Sequence, residues 1–506
     1  MRFLATCSLA LLISSPAWAG SPQADCEAHD PVIVQQGCSA ILAAGQDMQA
    51  LDFEAYNNRA LAELSLQSPQ AAVDDALAAI GLNPANGPVH LTLARAYLAL
   101  QQPAQALGAV NDALALDPNQ PGAYVLLGEL ELARGNAQAA IADQTQALHY
   151  DPSYADAYMA RAVVEMSAGD LKAALADVGK ASSLGSTDDR IHLIRGLAAA
   201  SQSDWPTALA EEDQYLAQSP GNIYALLARA QAQVNLGKLN DALTDMNHAI
   251  ALLPNSLTLY AQRAAIEDAL NQFPAEIQDL SLVINAASQN KDAAMLYKML
   301  LLRAQAYLQS QQSVLAKADV TQAISLSPKA PQAYVLRAAL ERAAGNLDAA
   351  QAADDQALAL DPNFVQAYTD LSVIHNLRHD YDKAAGDEAA ILKIIPHSAP
   401  DLNNRCWFLA LAGKLPEALG YCQQSLQIAA DDPASLDSIG FVYLRMHDFA
   451  QSIHYYTLAL KADSQQASSY YGRGLAEHEL GEMQAAAADL ALARQYDPNI
   501  MKDFGS

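Results

Sequence analysis

Charge, aromatic rings and long apolar runs are all scarce in this chain of 506 residues. Charged residues make up 17% and aromatics 6%, with only three tryptophans and eight phenylalanines. Basic residues are fewest: 29 Lys and Arg stand against 56 Asp and Glu, a net charge of -27. That field repels phosphate backbones and anionic headgroups over a Debye length, which argues against nucleic acid and membrane surfaces as ligands and favours a basic protein partner. No segment approaches the roughly 18 to 20 apolar residues needed to span a bilayer. There is no Gly-rich phosphate loop, His-Glu-x-x-His, Gly-x-Ser-x-Gly or paired-Cys metal spacing. What the chain does have is 52% hydrophobic residues, dominated by alanine, which is too apolar for disorder. Its length excludes a single small globule.

The start of the chain has the form of an export leader. Met1-Arg2 is positive, Phe3 to Ile13 is apolar, and Ala17-Trp18-Ala19 is a small-x-small cleavage site, so residues 1–19 read as a signal peptide. Cys7 lies inside the apolar stretch rather than at a lipid-acceptor position. The mature chain is expected to be soluble, without membrane insertion, in the periplasm of a Gram-negative bacterium or secreted. It keeps four cysteines, Cys26, Cys38, Cys406 and Cys422, an even number for an oxidising compartment. Four cysteines allow three pairings. Proximity favours Cys26 with Cys38 and Cys406 with Cys422, the alternative for the second pair being two small buried thiols.

A 34-residue period runs through the rest. Asn83-Pro84, Asp117-Pro118, Asp151-Pro152, Ser219-Pro220, Leu253-Pro254, Ser327-Pro328, Asp361-Pro362, Ile395-Pro396 and Asp497-Pro498 mark it. Thirteen windows start at Phe53, Gly87, Pro121, Ala155, Asp189, Ile223 and Leu257, then, after a six-residue insertion, at Tyr297, Pro331, Val365, Ala399, Pro433 and Ala467. The eighth place is always small, from Ala60 and Gly128 to Cys406 and Gly474. The twentieth is Ala in eleven windows, with Glu276 and Ser452 as departures. Small residues at both places let two antiparallel helices approach closely. Six windows carry Gly at the fifteenth place, such as Gly135 and Gly413, where a left-handed residue ends the first helix. The Pro near the window's end stops the second helix.

These windows resemble the tetratricopeptide (TPR) repeat family: an aromatic early in the first helix (Tyr56, Tyr124, Tyr158, Tyr260, Tyr334, Tyr368, Tyr470), a small eighth residue, Ala at the twentieth and twenty-seventh places, and Pro last. The resemblance implies an all-α, right-handed superhelical solenoid of helix-turn-helix units, with repeats 1–7 over residues 53–290, an insertion at 291–296, repeats 8–13 over 297–500 and a tail at 501–506. Loosened stacking is expected where the pattern lapses, at Leu257 to Leu296 and in the window from Pro433. Residues 20–52, with Ala24-Asp25-Cys26, Gly37-Cys38-Ser39 and the following Tyr56-Asn57-Asn58-Arg59, resemble the N-terminal cap of exported proteobacterial TPR proteins. That likeness implies a cross-linked polar cap, as solenoid ends require.

The seventh place is Arg in nine windows and the twenty-third is acidic in nine. Matching each seventh place with the twenty-third of the preceding repeat agrees at ten of twelve junctions, and the same-repeat comparison at nine of thirteen. The expectation is therefore inter-repeat pairs: Asp143 with Arg161, Asp177 with Arg195, Glu211 with Arg229, Asp245 with Arg263, Asp279 with Arg303, Asp319 with Arg337, and Asp387 with Arg405. The alternative is independent charges on a solvated rim.

Chemistry has little foothold. His375 and His379, four apart and followed by Asp380, are the nearest approach to a metal pair, but no third ligand is evident and two structural histidines account for them. No catalytic residue, cofactor or metal is expected, and repeats leave no room for a catalytic domain. The resemblance implies a protein or peptide partner held on the concave face by the second, fifth, ninth and twelfth places. Fifth-place Leu91, Val125, Met159, Leu193, Leu227, Leu301, Val335 and Tyr471, with ninth-place Trp407 and Phe441, are the candidate groove residues, unless they pack between neighbouring first helices. The Lys and Asn pattern of carboxylate-clamping TPR domains is not visible. The expected role is a non-catalytic scaffold, alternatively one within an envelope or exopolysaccharide export complex.

Overall fold

The computed structural model describes residues 21–44 and 49–500, so the leader and the 501–506 tail lie outside the described residues. These fold into twenty-eight helices with, among the described residues, no strand. The chain divides into two compact units, residues 1–254 and 255–506. The first holds α1 (Pro22–Cys26) and α2 (Pro31–Ala44), then six hairpins: α3 (Gln49–Ser65) with α4 (Pro69–Leu82), α5 (Gly87–Ala99) with α6 (Pro103–Leu116), α7 (Pro121–Ala133) with α8 (Ala137–Tyr150), α9 (Ala155–Ser167) with α10 (Leu171–Ser183), α11 (Arg190–Ser201) with α12 (Trp205–Gln218), and α13 (Ile223–Asn235) with α14 (Leu239–Leu252). The second holds seven: α15 (Leu257–Ala269) with α16 (Phe273–Gln289), α17 (Ala293–Gln309) with α18 (Ser313–Leu326), α19 (Pro331–Ala343) with α20 (Leu347–Leu360), α21 (Val365–Leu377) with α22 (Tyr381–Ile394), α23 (Ala399–Leu411) with α24 (Leu415–Ile428), α25 (Pro433–Arg445) with α26 (Phe449–Ala462), and α27 (Ala467–Glu479) with α28 (Met483–Tyr496). Each hairpin packs on the next within its unit, giving a helical solenoid.

The turn inside every hairpin is the same. All thirteen fifteenth places are left-handed, six as glycine and seven as Gln67, Gln101, Ser203, Asn271, Gln311, His379 and His447. At Gly135 the turn closes with Gly135 N–H to Leu132 C=O at 2.9 Å and Asn136 N–H to Glu131 C=O at 2.9 Å. His447 makes the equivalent bonds to Leu444 at 3.1 Å and, through Asp448, to Tyr443 at 2.9 Å. The backbone pattern therefore survives loss of the glycine.

Packing inside each hairpin depends on the eighth place meeting the twenty-fourth. Each glycine at the eighth place faces a sizeable side chain there: Gly128 faces Gln144, Gly196 faces Glu212, Gly440 faces Tyr456 and Gly474 faces Leu490. A Cβ on Gly196 would come within 2.5 Å of the Glu212 carboxylate, and one on Gly440 within 2.8 Å of the Tyr456 ring. Tyr456 is fully buried, so the window from Pro433 is tightly packed and not loosened. The six extra residues form no separate segment either. They lengthen α16 and α17 to 17 residues each, so 291–296 is partly the start of α17.

The ion pairs run differently from the expected register. Six arginines at the seventh place bind the aspartate sixteen residues on, across their own hairpin: Arg59 with Asp75, Arg161 with Asp177, Arg229 with Asp245, Arg263 with Asp279, Arg303 with Asp319, and Arg473 with Asp489. The contact is bidentate, as in Arg161 Nε to Asp177 Oδ2 at 2.6 Å and Nη2 to Oδ1 at 2.8 Å. The remaining Nη1 reaches back to the preceding repeat, to Thr145 from Arg161, Asp213 from Arg229, Ser281 from Arg303 and Thr457 from Arg473. Inter-repeat contact thus exists, but at the twenty-fifth place. Where the fork has no aspartate, other partners serve. Arg195 donates to Ser182, Arg337 to Gln356, and Arg405 to the Ala385 carbonyl while its guanidinium lies 4.4 Å from the Tyr421 ring. Glu211 meets His192, Asp387 meets His375, and Asp143 is itself held up by burial. The planar fork selects the carboxylate it can face squarely, and that one is across the hairpin.

The cysteines lie at disulfide distance as Cys26 with Cys38, Cα atoms 4.6 Å apart, and Cys406 with Cys422, 5.3 Å apart. The second pair occupies the eighth and twenty-fourth places of its hairpin. No described helix is long and apolar enough to cross a membrane.

Candidate binding grooves

First helices, whose places two, five, six, nine and twelve turn away from their hairpin partners, line one groove in each unit. In the second unit α17, α19 and α21 enclose about 570 Å³. Leu301, Leu302, Leu308, Val335 and Leu336 supply an apolar wall, and Gln305, Gln309, Gln332 and Gln366 set primary amides among them. An amide both donates and accepts, so such a row can pair with the backbone of an extended chain while the leucines take its side chains. Arg342 and Asp370 face each other at 3.6 Å at one end. Behind them Asp354 is fully buried, and burial, then Asp370, pushes its carboxyl up to about 8.

In the first unit the groove between α5, α7 and α9 has a volume of about 400 Å³ and is charged. Arg95, Glu129, Tyr154, Asp156 and Arg190 stand around a floor of Leu98, Val125, Leu126 and Ala160. Asp156 and Arg190 also border an open polar trough of about 960 Å³ formed by residues 184–189 with Gln214 and Gln218 of α12.

The candidate groove residues separate into two sets. Leu301, Val335 and Val125 line the grooves. Leu91, Met159, Leu193 and Phe441 are buried and border neither groove. Trp407 packs its ring 4.7 Å from that of Phe441, between neighbouring first helices α23 and α25. Leu227, Trp407 and Tyr471 are half-buried, and the two grooves include none of them. Large side chains at those places fill the gap between first helices before they reach the open face. The groove residues that sequence reasoning missed are the sixth-place Leu126, Leu302 and Leu336 and a polar set, the glutamines, Arg95, Glu129 and Asp156. The polar set occupies second, ninth and neighbouring places where only apolar residues were weighed.

The histidines do not converge. His375 Nδ1 is 2.6 Å from Asp387, whereas the exposed His379 Nδ1 is 2.7 Å from the Tyr381 hydroxyl and Asp380 binds Lys383. Among the described residues no group of three or more His, Cys, Asp or Glu is placed to hold a metal ion.

Thirteen like hairpins stacked into solenoids, with grooves lined by their first helices, define a helical-repeat protein of the helix-turn-helix kind. A family model described as "Tetratricopeptide repeat" matches residues 91–146, 142–189, 301–363 and 440–500, so these segments carry tetratricopeptide repeats. A comparison with curated proteins gives no match. Among solved structures the chain is similar to "APC/C hetero-tetramer Cut9-Hcn1", at 14% identity over 92% of this chain and 97% of that one with a TM-score of 0.37. It is also similar to "the Yeast Tom70", at 14% identity over 83% and 93% with a TM-score of 0.39. The third is "YrrB: a TPR protein with an unusual peptide-binding site", at 19% identity over 36% and 94% with a TM-score of 0.30. Overall superpositions this loose transfer no binding mode.

Proposed function

We propose that the protein is a non-catalytic scaffold of the bacterial periplasm that holds a partner protein in the grooves of its first helices. The observation that carries this is the α17–α19–α21 groove, where apolar side chains alternate with glutamine amides in the way an extended polypeptide needs. The leader-like residues 1–19 and the two cysteine pairs at disulfide distance support an exported, oxidising location. A narrower role, as scaffold of an envelope or exopolysaccharide export assembly, is recognised by an outer-membrane barrel among the captured proteins.

The test is capture from a periplasmic extract with wild type and with Leu302→Glu/Gln305→Glu. Leu302 is 43% exposed, so the change alters the groove without entering the core. Loss of a specifically retained protein, at unchanged helicity and melting temperature, is expected. Capture of the same proteins by the variant removes this groove as the site.

A further inference from the structure

The charged groove of the first unit contains two carboxylates that make no direct ion pair, although Arg95 and Arg190 line the same groove. Glu129 on α7 and Asp156 on α9 are open to solvent, and among the described residues neither has an ion-pair partner within 4 Å. Burial between the groove walls holds the Glu129 carboxyl above its ordinary range, Arg190 and Arg95 offset part of this, and Asp156 adds the smallest contribution, upward. Arg190 is engaged elsewhere, and Arg95 remains as one positive charge in the groove wall. Arg190 forks onto Asp188, Nε to Oδ1 at 2.9 Å and Nη2 to Oδ2 at 2.5 Å, so its charge is already balanced.

Beneath the two acids lies the apolar floor of Leu98, Val125, Leu126 and Ala160. Two negative charges above an apolar floor match one kind of side chain, an aliphatic stem ending in a cation. The stem lies along the floor, the head sits between the two carboxylates, and the Tyr154 ring adds a π face at the edge. The groove also runs on, at Asp156 and Arg190, into the polar trough along residues 184–189, giving the backbone that bears the side chain a way out. The net charge of -27 draws a cationic segment toward this face.

We infer that this groove takes a lysine or arginine side chain borne on an extended segment of a partner protein. The inference rests on the scaffold reading and adds to it the chemistry of what is bound.

The test uses the full mature chain and fluorescence anisotropy with a labelled, end-blocked octapeptide alternating lysine with leucine and alanine. Counterparts carry norleucine or glutamate in place of lysine. The lysine peptide is expected to bind about tenfold more tightly than either counterpart, and Glu129→Gln and Asp156→Asn each to weaken it about five- to tenfold. Asp112→Asn removes the same charge from the exposed side of α6 and is expected to change binding less than about twofold. Equal weakening by Asp112→Asn would mean that only the general field acts, and equal binding of the norleucine peptide would mean that the carboxylates recognise nothing; either overturns the inference. Competition by lysine amide as effective as by the peptide overturns the extended-segment part. If the lysine peptide fails while capture sensitive to Leu302→Glu/Gln305→Glu persists, this inference falls and the scaffold reading stands. If both fail, both fall.

Discussion

At thirteen turns one residue takes the left-handed conformation, and seven of these residues carry a side chain that disfavours it. The cost is about 1 kcal/mol for each, which the Gly turns avoid. Gln311→Gly is therefore expected to raise unfolding stability by up to about 1 kcal/mol, with Gly413→Ala lowering it by a similar amount, as read from denaturant midpoints. A drop in midpoint for Gln311→Gly would show that its side chain contributes more than the backbone conformation costs. The arginine forks make a second residue-scale test. Arg161 binds Asp177 through two N–H groups, and both side chains are largely buried. A double-mutant cycle on Arg161→Ala and Asp177→Ala should give a coupling of about 1.5 to 3 kcal/mol. The cycle on Arg161→Ala and Asp143→Ala should give a coupling near zero. The reverse order of couplings would restore the inter-repeat register.

Hairpins are where side-chain size is conserved by exchange between helices. Gly440 leaves room for Tyr456, which also presses on Gly472 of α27, so one ring is housed by glycines from two repeats. Gly440→Ala should cost about 1 to 3 kcal/mol by overpacking, and adding Tyr456→Leu should recover much of it, since the smaller side chain gives the methyl its space. Thermal melts of the two singles and the double measure this, and purely additive effects would show that the two places do not compete. The hairpins themselves were legible in the sequence because sterics act at fixed spacing: small eighth and twentieth places, a turn, and a closing proline. The non-glycine turns were not legible, since nothing in Gln67 or His379 announces a positive φ. The fork partner was also hidden, because the seventh and twenty-third places repeat with the same period. Correlation between neighbours then cannot tell one side of a hairpin from the other, and only the coordinates resolve it. The grooves were half legible. Four of their places were named and the sixth was not, while aromatic bulk at Trp407 and Phe441 is spent on packing first helices together and the exposed chemistry is carried by amides and charges.

Across the whole chain the buried carboxyls impose one direction on stability as pH changes. In the first unit Glu63 and Glu165 are pushed up to about 7 and Glu212 to about 8, in each case mainly by burial. In the second, burial lifts Glu276 and Glu388 to about 7, Asp354 to about 8 and Asp437 to about 6. A folded-state pKa above the unfolded value means that the native chain holds more protons than the unfolded one between the two values. Stability from these groups is thus complete below about pH 4, where both states are protonated, and is lost progressively as pH rises through about 6 to 8. Half-buried carboxylates held low by hydrogen bonds, such as Glu131 and Asp151, act oppositely but at acid pH. Self-repulsion of a chain at -27 adds to the alkaline loss. The melting temperature is therefore expected to fall from pH 5 to pH 8.5. Glu212→Gln/Asp354→Asn should flatten that slope, because an amide fills the same space without a proton to lose. Salt should raise the melting temperature at pH 8.5 more than at pH 5, by screening the repulsion. A melting temperature that climbs between pH 5 and pH 8.5, or a slope untouched by the double variant, would show that these carboxyls are ionised in the native chain and hydrated despite their position between the helices.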